Sequence, residues 1–283
     1  MENPKSYASP WSDYELLDAG GGKKLERFGD VVTIRPDLQA YFKSEWPFQT
    51  WNEMAHWEFV EKTNTKGVWK KIKENAPESW TISIGETIVN LEITKFKHIG
   101  IFPEQALNWA FIQNQLKPNH KFLNLFAYTG IASVVARQTG AEVIHVDSVK
   151  QLVTWANRNR ESSDTEPIKW VVEDALKFAQ REVKRGNKYD GILMDPPAFG
   201  LGAKGEKWIL EEKLPALIEA ASELLNPAGF LILNTYSPKL TLGMLKRVAT
   251  NYFDPKKFEI TELWMKTTTG KELFFGNLIR VTK

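Results

Sequence analysis

FLNLFAYTGIASVVARQTG, residues 122–140, decides how the rest of the chain is read. The apolar run 122–126 has the length of a buried strand, and a small-residue turn follows it and ends in Gly130. From 131 to 137 the apolar residues recur at helical spacing before Gly140 stops the helix. A strand, a tight turn and a helix in that order make the first βα unit of a nucleotide-binding α/β sheet. The first helical turn presents unpaired backbone N–H groups to the loop, and a glycine there lets the backbone approach a ligand closely.

Working outward, AEVIHVD ends in Asp147, 17 residues beyond Gly130. A carboxylate that reaches ribose hydroxyls from the end of the second strand is expected about 20 residues on. Only Gly130 of the turn is glycine, so the G-x-G-x-x-G cradle for a pyrophosphate is missing and a mononucleoside fits better than a dinucleotide. A nicotinamide oxidoreductase is disfavoured on the same ground. Asp147 also has a purely structural reading, as the cap of the next helix. WVVEDALKFA then places Asp174 after a third β-like run, and KYDGILMDPPAFG places Asp195 after a fourth. Carboxylates at successive strand ends point into the crevice at the carboxyl edge of a parallel sheet. The double proline Pro196-Pro197 ends its strand and fixes the carboxylate before it, which suits either a rigid strand exit or a reacting group.

Together these segments resemble the class I S-adenosylmethionine-dependent methyltransferases. The nearest branch holds the large-subunit ribosomal RNA methyltransferases that make 5-methylcytosine and 7-methylguanine. The likeness runs over residues 101–283 through FPEQALNW, NLFAYTG, Asp147, EDA at 173–175 and DPPAFG, and the opening YELLDAGGGKKLERFGDVVTIRP is similar to the start of some members. It implies a Rossmann-like α/β sheet with helices on both faces, S-adenosylmethionine as cofactor and RNA, above all ribosomal RNA, as substrate. Under that resemblance Asn124, Phe126, Ala127, Thr129 and Gly130 lie against the methionine portion, and Asp147, followed by Ser148, accepts from the ribose hydroxyls. Asp174 and Ala175, with Glu173 before them, sit at the adenine, where Asp174 accepts from the exocyclic amine. Phe102, Pro103 and Gln105 of FPEQ close the pocket, although Phe102 equally suits a core position. Asp195 borders the cofactor and stands nearest the chemistry, where it takes a proton or hydrogen bond from an acceptor nitrogen while the Pro196 carbonyl helps orient it.

Cysteine usage narrows the mechanism. Members of that branch that methylate cytosine C5 first add a cysteine to C6, and this chain has no cysteine. After the strand-like GFLILN the sequence reads Thr235-Tyr236-Ser237, with Tyr236 where the thiolate would stand. Direct in-line transfer to a nitrogen or oxygen, which mainly requires alignment and exclusion of water, fits better. On the substrate side, Phe199 is a candidate for stacking on a flipped base or for core packing. Lys204 lies in GLGAKGEKW, which suits a flap over a phosphate-bearing ligand or a solvated loop. WILEEKLPALIEAASELL reads as a helix beginning at Trp208 and stopped by NPAG.

The first hundred residues hold six of the eleven tryptophans, short β-like runs such as DVVTIRP and TISIGETIVNLEI, and frequent turn residues. They read as a small β-rich accessory domain plus a hairpin over residues 1–97, with the methyltransferase-like domain over 98–283. Thirteen Lys/Arg against fifteen Asp/Glu in that stretch give it no basic excess. The exception is KTNTKGVWKKIK at 62–73, which suits either RNA contact or a solvated hairpin face. A net charge of +2 over 283 residues excludes a purely electrostatic nucleic-acid binder. The four histidines have no ligand spacing, so a metal is not implied. MENPKSYASPW has no apolar signal segment and no run approaches membrane length, so a cytoplasmic protein is expected, with its oligomeric state undetermined. A methyltransferase of small molecules, and an RNA-binding module that keeps the fold without the activity, remain the rival readings.

Overall fold

The computed structural model describes residues 3–63, 66–201, 207–237 and 239–282. The chain divides into a smaller unit, residues 7–106 and 264–275, and a larger one, residues 1–6, 107–263 and 276–283.

The chain opens with strand β1 (Lys5–Ala8). The smaller unit is then built on β2 (Tyr14–Gly20), β3 (Lys23–Phe28), β4 (Val31–Pro36), β5 (Trp57–Thr63) and β6 (Lys66–Lys71), a five-stranded sheet in that order with helix α1 (Phe48–Met54) between β4 and β5. Strands β7 (Ser79–Ile84) and β8 (Thr87–Glu92) pair separately as a hairpin. In β8, Thr87, Val89 and Leu91 are buried while the residues between them are not, the period of two that a half-buried strand requires. The β-rich first third with its hairpin is thus present. Its core gathers Leu17, Leu25, Ile34 and Trp51. Asp18 of β2 is fully buried. Its carboxylate accepts from the N–H groups of Ala19 (2.9 Å), Glu45 (3.3 Å) and Trp46 (2.8 Å), the Trp51 indole (3.1 Å) and the Thr269 hydroxyl (2.8 Å). Only a carboxylate held by several donors is tolerated at such burial.

Helix α2 (Ala106–Gln115) leads into the larger unit, which carries β9 (Lys121–Leu125), α3 (Ile131–Gln138), β10 (Glu142–Asp147), α4 (Lys150–Ser162), β11 (Lys169–Val172), α5 (Ala175–Lys184) and β12 (Tyr189–Met194). The short strands β13 (Phe199–Leu201) and β14 (Lys207–Ile209) come next, then α6 (Leu210–Leu224), β15 (Leu225–Thr235), α7 (Leu242–Thr250), β16 (Phe258–Lys266) and β17 (Glu272–Thr282). The eight-stranded sheet runs β1-β16-β17-β15-β12-β9-β10-β11. Strands β15, β12, β9, β10 and β11 are parallel to their neighbours, and β17 is antiparallel to β15.

Alternate strand residues point to opposite faces. Leu123, Leu125, Ile192, Met194, Leu231 and Leu233 meet Phe178 of α5, Leu214 and Leu217 of α6 and Leu245 of α7 in one core. On the other face Phe111 of α2 packs edge-on against Phe230, and Ser133 of α3 bonds Asn124. The expected α/β sheet with helices on both faces is what the chain forms. Because β10 follows β9 on one side and β12 lies on its other side, the strand order reverses beside β9, the place where open α/β sheets take ligands at their carboxyl edge. Helix α6 begins two residues later than the sequence suggests, since Trp208 and Ile209 pair with β13. Among the described residues no helix is long and apolar enough to cross a membrane.

Candidate functional site at the carboxyl edge of the sheet

Strand β9 leaves the sheet through a turn in which Phe126, Tyr128 and Gly130 have φ of 58°, 51° and 77°. For Phe and Tyr this left-handed region is a true outlier and costs of the order of 1–3 kcal/mol each, which the surroundings must offset. They do so with hydrogen bonds from Ala127 N to Val146 O (3.1 Å), from Gly130 N to Ala127 O (3.0 Å) and from Tyr128 N to the Asp147 carboxylate (2.9 Å). A β-carbon on Gly130 would lie 2.6 Å from Cβ of Ala156 and 3.2 Å from His145 Cε1. The close approach that Gly130 permits is therefore to α4 and β10, which clamp the turn from behind.

A buried polar cluster supports the same turn. Asn124 Nδ2 donates to Ser133 Oγ (2.9 Å), and that hydroxyl meets His145 Nδ1 at 3.1 Å. A serine hydroxyl has one donor and two acceptor sites, so it can serve both neighbours, while His145 Nε2 has no partner among the described residues. Burial pushes the His145 pKa down to about 3, so the ring is neutral. From α4, Asn159 donates to the Thr129 carbonyl (2.8 Å). Sequence reading misses Ser133, His145 and Asn159. The available signals are a histidine inside the apolar run of β10 and an asparagine within the helix repeat of α4.

Asp147 ends β10 at 8% exposure. Its Oδ1 accepts from Val149 N and its Oδ2 from Tyr128 N, both at 2.9 Å, and burial nevertheless holds its pKa above the ordinary carboxylate value. The Ser148 N–H bonds the carboxylate as well, so three of its roughly four lone-pair sites are taken by its own chain and one is left for a further hydroxyl donor. Beside it two branched apolar side chains stand in water: Val149 is 43% exposed, and Val172, the register partner of Asp147 on β11, is 51% exposed. Ser148 is exposed between Asp147 and Val149. Asp174 caps α5 by accepting from Lys177 N (2.8 Å) through one oxygen. Glu173 is engaged by both terminal nitrogens of Arg181, while Ala175 is buried in the α5 core.

Next to the turn, Asp195 N donates to Leu125 O (3.4 Å), which joins the ends of β12 and β9. Pro196 is buried, and the Pro197 carbonyl accepts from the Trp208 indole (2.7 Å). The Trp208 ring lies 4.8 Å from that of Phe126. One indole thus ties the Asp-Pro-Pro exit, the β13–β14 hairpin and the turn together. Phe199 at the hairpin base is 59% exposed. Lys204 lies outside the described residues. Asn234, at the end of β15, has 0% exposure and no partner for either amide atom, and the buried Thr235 hydroxyl has none among the described residues. In register, Met194 faces Leu233, so Asn234 is the neighbour of Asp195 across the strands. Tyr236 is half-buried against the position of Gly276, where a β-carbon would meet its ring at 3.3 Å.

Phe102, Pro103 and Gln105 belong to the smaller unit. Pro103–Gln105 form a single helical turn, and the Phe102 ring packs 5.0 Å from His98. Glu104 between them is buried, which raises its pKa to about 7.

The chain resembles proteins of known family over most of its length. The "Ribosomal RNA large subunit methyltransferase K" of Neisseria meningitidis is 33% identical over 175 residues, 60% of this chain and 46% of that protein. The "Ribosomal RNA large subunit methyltransferase K/L" of Hahella chejuensis is 31% identical over 232 residues, 80% of this chain and 30% of that protein. This chain spans less than half the length of either. Among solved structures, a SAM-dependent methyltransferase from Agrobacterium tumefaciens superposes with a TM-score of 0.92 at 34% identity, covering 99% of this chain and 96% of that one. SMU.776, solved in complex with SAH, shares the fold at a TM-score of 0.75 and 20% identity, covering 96% and 76% of the two chains. The family model described as S-adenosylmethionine-dependent methyltransferase matches residues 35–253, and with the likeness to the Agrobacterium protein it establishes that the chain belongs to the S-adenosylmethionine-dependent methyltransferase family.

Proposed function

We propose that this chain methylates RNA, with ribosomal RNA first, at a nitrogen or oxygen by direct in-line transfer. The observation that carries the reading is the strained turn 126–130 closed onto the Asp147 carboxylate at the end of β10, beside the exposed apolar side chains of Val149 and Val172. The residues fit S-adenosylmethionine. Asp147 receives a ribose hydroxyl, Val149 and Val172 lose their exposed apolar surface to the adenine, and the second oxygen of Asp174 accepts from the adenine amine. The turn from Asn124 to Gly130 borders the methionine portion. When bound, the cofactor supplies a methyl group made electrophilic by the attached sulfonium.

The protein's part is positioning and proton handling. Asp195 orients the acceptor and takes its proton, and the two prolines after it keep the carboxylate in one direction. Phe199 offers a face on which an extruded base stacks. With no cysteine, the chain has no thiolate to add to a base, so the acceptor must be nucleophilic by itself. Residues 1–97 serve as an accessory domain for the RNA, residues 98–283 carry the chemistry, and the setting is the cytoplasm. RNA as the substrate is supported by what the two curated relatives are named for.

Transfer of labelled methyl from S-adenosylmethionine to ribosomal RNA from cells lacking this protein tests the reading. Wild type should label the RNA, and Asp195→Asn should lower the rate by about 10²–10⁴-fold with cofactor affinity changed only a few-fold. Label that enters only a small-molecule extract would replace RNA by a small acceptor. Equal labelling by the variant would remove Asp195 from the chemistry.

A further inference from the structure

The opposite, amino edge of the same sheet carries a cavity of about 400 Å³ that the proposed chemistry does not use. Its walls come from the first residues of four parallel strands and the segments leading into them. Lys121 opens β9, Glu142 opens β10, Lys169 opens β11 and Lys188 precedes β12, with Arg137 at the end of α3 beside them. Four cations and two carboxylates therefore line it, in a chain whose total net charge is only +2.

The two carboxylates are not equivalent. Glu182 is buried, and its oxygens accept from the Tyr189 hydroxyl (2.6 Å), the Asn187 amide (2.6 Å) and Arg185 (2.8 Å), so its charge is matched within the wall. Arg137 is fixed by donating from Nε to Pro167 O and from Nη1 to Ala141 O, both at 3.1 Å, and keeps its charge toward the cavity it lines. The Lys188 ammonium donates to the Glu223 carbonyl, which leaves that charge unneutralised as well. Among the described residues the ammonium groups of Lys121 and Lys169 have no ion-pair partner. Of the lining residues Glu142 alone opposes these four cations, and the Asp190 carboxylate, which accepts from Lys121 N at 2.8 Å, lies beside them. A fixed guanidinium and three lysines lining a concave space make a field for a compact, multiply charged anion, and phosphate matches that charge. No exposed aromatic lines the cavity, so nothing there stacks on a base.

We propose that this cavity is a phosphate-binding site and, resting on the RNA reading above, that a backbone phosphodiester of the substrate occupies it. Strand β9 has five residues. At about 3.3 Å per residue the cavity lies roughly 16 Å from the carboxyl edge, so it anchors the RNA at a distance from the methylated base.

Two measurements on the whole chain test this. Lys121→Ala/Lys169→Ala removes two exposed charges outside the catalytic edge, and Lys256→Ala/Lys257→Ala removes two exposed charges elsewhere as a control. The probes are a fluorescent ribosomal RNA fragment, titrated at several salt concentrations, and inorganic phosphate, followed by its phosphorus line width. The first pair is expected to lower RNA affinity about tenfold, reduce the salt slope by about 1–2 and abolish phosphate broadening, with S-adenosylmethionine affinity unchanged and the control pair silent. Lost broadening with unchanged RNA affinity would keep the phosphate site but assign it to a free phosphate or phosphomonoester. Wild-type behaviour of the first pair in both assays, or an equal effect of the control pair, would overturn the proposal. Wild type that binds phosphate and S-adenosylmethionine but no RNA would end the RNA reading and leave the cavity standing.

Discussion

His145 and Asn234 are the residues whose burial asks most of the fold. A buried neutral imidazole makes stability depend on pH with a definite sign. Folded, His145 stays unprotonated down to about pH 3, whereas its unperturbed value is 6.5. Below pH 6.5 the unfolded chain takes up a proton that the folded one refuses, so this residue lowers stability by about 1.4 kcal/mol for each unit of pH between 6.5 and 3. Urea unfolding of wild type and His145→Asn at pH 7 and pH 5 should show a smaller acid loss in the variant, and equal losses would remove His145 as the cause. Asn234 has two amide atoms without a partner among the described residues at 0% exposure, which costs of the order of 1–3 kcal/mol unless a ligand or water meets them. Asn234→Leu keeps the shape without the polar atoms. It should leave thermal stability unchanged or raise it while methyl transfer falls at least tenfold. A variant that is less stable and fully active would make the amide structural.

At the scale of elements, the sequence was legible where burial follows a local pattern. The run of β9, the helix of α3 and the alternation in β8 are visible in FLNLF, IASVVARQ and TIVNLE because each buries one face or both against neighbours. The β13–β14 hairpin was not. Its strands have three residues each, too few for a period, and they exist because Trp208 is held by the Pro197 carbonyl and by Phe126. Trp208→Phe keeps a ring and removes the indole donor. It should lower methyl transfer about tenfold without changing S-adenosylmethionine affinity, and a parallel loss of cofactor binding would show that the hairpin serves the cofactor instead. Asp18 makes the matching case in the smaller unit. Asp18→Ala leaves its five donors without their carboxylate and should cost at least about 3 kcal/mol, read as a lower urea midpoint.

For the whole molecule, the ligand-facing edge of the parallel sheet could be reached from sequence because carboxylates at the ends of β10 and β12 and before α5 mark it, whereas the strand order could not. What stayed hidden depends on residues far apart in the chain. Residues 264–275, the tip of the β16–β17 hairpin, belong to the smaller unit, where Thr268 N donates to Leu16 O (2.9 Å) and the Thr269 hydroxyl donates to Asp18. No local feature of KTTTG announces such a partner. Likewise the support of the turn by Asn159 spans 30 residues. Calorimetric titration of wild type and Asp147→Ala with S-adenosylmethionine tests whether the strained turn and Asp147 hold that cofactor. Wild type should bind with micromolar affinity, and the variant should bind about 10–150-fold more weakly, the roughly 1.5–3 kcal/mol of hydrogen bonds to a charged group. A folded wild type that gives no heat with S-adenosylmethionine, or a variant that binds it equally well, would contradict the account.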